Sequence, residues 1–168
     1  MDNKKILTAF NNHFFEFVDD IINVFKNDNE LLTARSMLLK LRKSNPKIIM
    51  KIYIQYVLDK YKNEIMNGDI DYFLNKDYTN DFEYMDNIVI EKFNTLKGPI
   101  KKMDEMNKNK VIKYMQNLIK LADLYKTTYA KFTKAIRDKI DSKYNYSSII
   151  NIDAINSTDD TINIKMYK

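Results

Sequence analysis

Apolar residues recur along this chain at helical spacing. Between residues 4 and 25, Leu7, Phe10, Phe14, Phe17, Ile21 and Val24 follow one another at intervals of three and four, one stripe on a helix. Asp28 or Asn29 is suited to cap a second helix, with Glu30 in its first turn and Leu31, Ala34, Leu38 and Leu41 on its apolar face. That helix ends near Ser44, and the short break before it implies an antiparallel pair. Asn45-Pro46 marks a third start, because proline at the first helical position gives up an amide that has no intrahelical partner anyway. The third helix runs from Pro46 to Tyr61 or on to Met66, and apolar residues on most of its sides predict a central position.

Asn67-Gly68-Asp69 then punctuates the chain, and 69–81 reads as loop with a helical turn around Tyr72, Phe73 and Leu74. A fourth helix is predicted at 82–96, with Phe82, Met85, Val89, Phe93 and Leu96 on one face. Lys97-Gly98-Pro99 stops it, glycine first and proline after. The fifth helix, 107–139, is the most regular. Val111, Met115, Leu118, Ala122, Tyr125, Tyr129, Phe132 and Ile136 alternate intervals of four and three, the seam of bundles and coiled coils, which leaves self-association open. From Asp141 the texture changes, and Thr161 to Tyr167 alternates Ile162, Ile164 and Met166 with polar residues, as a strand or extended arm would. The expected fold is all-α: an antiparallel bundle of about five helices over 1–140, then an extended or strand-like C-terminal tail at 141–168.

Composition narrows the chemistry. The 168 residues suit one bundle domain, and the absence of cysteine excludes disulfides, thiolate metal sites and cysteine nucleophiles. With single glycines at 68 and 98, neither a Walker A loop nor a dinucleotide fingerprint can form. The N-terminus lacks a signal peptide, and no apolar run approaches the roughly 18 residues of a membrane span. The expectation is therefore a soluble, intracellular protein. His13 is the sole histidine, lies at the edge of an apolar stripe, and reads as structural or exposed. Carboxylates gather at Glu64, Asp69, Asp71, Asp77, Asp81, Glu83, Asp86 and Glu91. A calcium loop starting at Asp69 fails, since Phe73, Leu74 and Asn80 fall where a ligand, a glycine and the final carboxylate belong.

Charge alternates in blocks: net +6 over 26–62, −6 over 63–96 and +8 over 97–140. At about 100° per residue, Lys113, Lys120 and Lys131 form a line on the fifth helix, with Lys110 and Lys134 flanking it and the seam opposite. Such a line can follow a phosphate backbone. With 25 lysines and three arginines, base-specific reading is disfavoured, because bidentate arginine is its commonest tool.

Several blocks resemble a family of helical proteins encoded by large nucleocytoplasmic DNA viruses of protists and algae, the giant and algal viruses. They are Ala9-Phe10-Asn11-Asn12 running into Phe14-Phe15-Glu16-Phe17, the Asn45-Pro46-Lys47 start, Tyr61 to Asp69, Asn75-Lys76-Asp77-Tyr78 and Met115-Gln116-Asn117-Leu118. The resemblance covers roughly 6–126 and carries no active-site residue with it. It implies a host-cytoplasmic or virion address.

Together these readings point to a non-enzymatic helical interaction or structural protein, a component of a viral particle or viral assembly, with no catalytic residue, cofactor or metal and with another protein as partner. Ile162, Ile164 and Met166 are its candidate partner-binding arm. Two alternatives stand beside it. One is non-specific nucleic-acid association through Lys110, Lys113, Lys120, Lys131 and Lys134. The other is a cation-dependent protein or enzyme using the acidic 64–91 segment.

Overall fold

A computed structural model describes residues 2–26, 28–78 and 97–144, and among them every regular element is helical. The chain divides into two compact units at Lys126/Thr127, inside its longest helix and before the boundary at 140 that the sequence suggests.

In the first unit, α1 spans Asn3–Val24. Asp2 caps it, its carboxylate accepting from the Lys4 amide at 3.2 Å. Leu7, Phe10 and Ile21 of the expected stripe are buried, but Val24 is exposed, and Ile6, Asn11 and Phe15 are buried beyond the stripe. The buried face is wider than one stripe because α1 is covered from several sides. Asn11 donates from Nδ2 to the Pro46 carbonyl at 2.9 Å, and Phe10 packs edge-on against Tyr53 with ring centroids 5.2 Å apart.

Helix α2, Asn29–Ser44, opens where Asp28 Oδ1 accepts from the amides of Glu30 and Leu31 at 3.0 and 3.1 Å. Arg35 forms a two-bond ion pair with Asp19, and Arg42 donates to Asn12 Oδ1 at 2.9 Å. Position 35 faces 19 and position 42 faces 12, so α1 and α2 are antiparallel, as their short connection implies.

Asn45 Oδ1 then accepts from the Lys47 amide at 3.0 Å and starts the next helical run. Helix α3, Ile48–Tyr53, passes through a π turn, Ile54–Leu58, into α4, Asp59–Asn67. A π turn inserts a residue into the helical ladder and re-aims the helix beyond it. Tyr61, in the first turn of α4, departs from helical geometry at φ −131°. Ile49, Met50, Tyr53, Leu58, Tyr61 and Ile65 are buried while Ile52 is exposed, so the run keeps a solvent side. Gly68 closes α4 in the left-handed region at φ 78°, where a side chain would be strained. Asp69 caps the short α5, Ile70–Asn75, by accepting from the Tyr72 amide at 2.9 Å; the helical turn expected there is this helix.

Gly98 and Pro99 do not end a helix. They lie among helical residues 97–101, and Gly98 is not among the residues with positive φ. Asp104 then accepts from the Asn107 amide at 2.8 Å and α6 follows, Glu105–Tyr144. Its last four residues belong to the helix and not to the tail that the sequence texture suggests. Helix α6 runs antiparallel to α4: Lys126 pairs with Asp59 at 2.6 Å, Lys62 with Asp123 at 2.8 Å, and Gln116 Nε2 donates to the carbonyls of Ile65 and Met66. The expected helix at 82–96 lies outside the described residues.

A candidate interaction surface on the long helix

Helix α6 carries both sequence-predicted surfaces, the apolar seam and the lysine line. In the first unit the seam is spent on the core. Val111 is 5%, Leu118 0%, Ala122 0% and Tyr125 8% exposed. They share two clusters with residues of α1, α2, α3 and α4, with Met115 packed against both. Tyr53 donates from its hydroxyl to the Met115 carbonyl at 3.3 Å, and burial pushes that phenol's pKa well up.

The lysine line loses one member. Lys110 Nζ sits 2.5 Å from Asp20 Oδ2, the oxygen that also accepts from the Tyr114 hydroxyl at 2.7 Å. Lys113, Lys120, Lys131 and Lys134 are exposed, and none of them enters an ion pair seen among the described residues. Sequence reasoning missed the Asp20–Tyr114–Lys110 network because its partners are some 90 residues apart. His13 completes its surroundings, its ring tilted 4.9 Å from Tyr114 and its Nδ1 3.3 Å from Glu16. The cleft beside the network is small, about 20 Å³, with room for little more than a water.

The network links folding to pH. The Lys110 bond first, and the Tyr114 bond second, hold the Asp20 carboxyl below its ordinary value. Burial, reinforced by Asp20, pushes Tyr114 up to about 12. A depressed carboxyl stabilises the fold above its unfolded value of about 4, and that contribution is lost as pH falls through the folded value. A raised phenol stabilises below about 10, and its contribution disappears as pH climbs towards its folded value. In thermal melts the destabilisation caused by Asp20→Asn should therefore be evident at neutral pH and shrink towards pH ~3. An equal difference at both pH values would refute the role given to Asp20.

The acidic segment is only partly described. Asp69 serves as a helix cap, and among the described residues no three His, Cys, Asp or Glu side chains could share a metal ion. Asp81, Glu83, Asp86 and Glu91 lie outside the described residues, as do the arm residues Ile162, Ile164 and Met166. Several tyrosines sit in the core. Tyr61 meets Phe73 and Tyr78 edge-on at 5.8 and 5.9 Å, with Lys76 above the group and Lys97 Nζ 4.2 Å above the Tyr78 ring. Burial, and the neighbouring charge of Lys101, lower the pKa of Lys97.

In the second unit the seam continues through Tyr129, which is half-buried. Phe132 is 62% exposed and Ile136 38%, on a helix that runs on to Tyr144. Exposed side chains of this size, in line along a helix, mark an interaction surface more often than scattered ones do.

No protein-family model, curated protein or solved structure matches this chain. Among the described residues, no helix is long and apolar enough to cross a membrane.

Proposed function

We propose that this chain is a non-enzymatic interaction protein that presents the second half of α6 to a protein partner, in the setting of a viral particle or viral assembly. The observation that carries it is the fate of the seam. One heptad pattern is buried at Leu118 and Ala122 and exposed at Phe132 and Ile136. A seam of this kind is stable when another helix covers it. The viral setting rests on the resemblance of residues 6–126 and on nothing else.

The test is site-directed photo-crosslinking in a lysate of the native source. A benzophenone side chain in place of Phe132 should give a discrete protein adduct that the same group at Ser44, on α2, does not give. Absence of any adduct specific to position 132 would sink this reading. The exposed Lys113, Lys120, Lys131 and Lys134 favour a second reading, non-specific association with nucleic acid. That reading requires binding that weakens steeply with salt, and a flat response between low and moderate salt would exclude it.

A further inference from the structure

From Leu31 to Leu58 the chain carries six basic side chains and no carboxylate. One of the six, Arg35, is neutralised by Asp19. Arg42 instead donates to the neutral amide of Asn12 and lies 5.3 Å above the Phe15 ring, so its charge meets no carboxylate there. Lys40 and Lys43 are exposed, and neither enters an ion pair among the described residues. Lys5, exposed in the same way, joins them from α1. Asn12 and Asp19 stand one heptad apart on the line of α1 that meets Arg42 and Arg35. Lys5 is one heptad before Asn12 on that line, about 10 Å along the axis, and therefore lies past the last turn of α2.

The surface among these charges is aliphatic. Helix α2 buries only Leu31, and Leu32 and Leu39 are exposed. At about 100° per residue, Leu32 and Lys43 fall within about 40° of Leu39 on one side, and Arg42 about 60° away on the other. Glu30, the one carboxylate of α2, falls about 180° from Leu39. The face is thus positive and apolar together, with its acid turned away.

That combination selects among anionic partners. Between the two leucines the face carries Arg35 and Ser36, so it lacks the unbroken stripe at intervals of three and four that a partner helix or groove engages. A second copy would set cations against cations. Nucleic acid would answer the charges, but strand binding stacks bases on aromatic rings, and α2 has none. A bilayer with acidic headgroups answers both features, because basic side chains meet its surface charge while aliphatic ones enter the boundary of headgroups and acyl chains.

We infer that this face of α2, with Lys5 beyond its end, docks on an anionic membrane surface. Lys5, Lys40, Arg42 and Lys43 meet the headgroups, and Leu32 and Leu39 enter the boundary below them. The helix lies on the bilayer and does not cross it. This surface is separate from the one proposed on α6.

The test is sedimentation of the full chain with vesicles of phosphatidylcholine alone and with vesicles containing about 30% phosphatidylserine. The acidic vesicles should bind at least tenfold more tightly. Lys40→Glu with Lys43→Glu should weaken that binding at least tenfold, since each basic residue near such a surface contributes about fivefold. Leu32→Ser with Leu39→Ser should weaken it at least threefold. Lys113→Glu with Lys120→Glu, the same charge change on α6, should weaken it less than threefold. All six positions are exposed, so helical circular dichroism should be unchanged in each variant. Equal binding to both kinds of vesicle would overturn the inference. So would an equal loss from the two lysine pairs, which would assign the attraction to net charge, and so would full binding without the leucines. Binding to duplex DNA tighter than to acidic vesicles, and abolished by Lys40→Glu with Lys43→Glu, would give the face to nucleic acid instead. Phe132→Ser should leave vesicle binding unchanged, so the α6 reading and this one stand or fall separately.

Discussion

Truncating Phe10 to alanine should lower the stability of the fold by about 3–5 kcal/mol, a large share of the roughly 5–15 kcal/mol available to a domain of this kind. Phe10 is fully buried. Its ring is stacked on Phe14 with centroids 6.2 Å apart and lies edge-on to Tyr53 at 5.2 Å. Removing it discards the transfer energy of the ring and leaves a cavity lined by α1 and α3. Neither wall can collapse freely, because α1 is tied to α2 through Asp19 and Arg35 and to α6 through Asp20 and Lys110. Aromatic edge contacts add about 0.5–1.5 kcal/mol beyond the area term. Urea titration followed by circular dichroism measures the loss. A shift below about 1 kcal/mol would mean that Phe10 is not where the core is densest.

Leu118→Ala and Phe132→Ala should differ sharply, although the two residues are two heptads apart and hold the same place in the seam. Leu118 is 0% exposed and Phe132 is 62% exposed. Leu118→Ala should cost about 2–5 kcal/mol, as deletion of a buried leucine does. Phe132→Ala should stay within about 0.5 kcal/mol, as substitutions at open surface do. The pair also tests the function. If Phe132→Ala were as costly as Leu118→Ala, the seam would already be covered in the free chain, leaving no stripe for a partner. If Phe132→Ala leaves stability unchanged yet abolishes the position-dependent crosslink, its apolar area is kept for binding and not for folding.

Much of the architecture is legible along the chain. The alternation of three and four places α1, α2 and α6, and the caps Asp28 and Asn45 stand where short polar side chains precede apolar runs. These features are local, because a cap bonds an amide two or three residues on and a stripe needs only helical geometry. Gly98-Pro99 shows where local reading fails. The expected stop falls among helical residues 97–101, where Gly98 does not take the positive φ of a helix-ending glycine. Asn11 and Phe15 were invisible for a related reason. They lie outside the stripe of α1 and are buried because α1 has more than one neighbour.

What the sequence by itself determined about this protein is its helical class, most of its helix starts, and the existence of one seam and one lysine line on the same long helix. The tertiary structure decided which parts of that seam and line are available. Asp20 takes Lys110 out of the line, and the core takes the seam as far as Tyr125. Periodicity records which residues share a face, and it is the same at Leu118 and Phe132. Whether that face meets protein or water depends on where other segments of the chain lie in space. The buried part of the α6 seam ends at Tyr125, and Phe132 and Ile136 further along the same face are exposed.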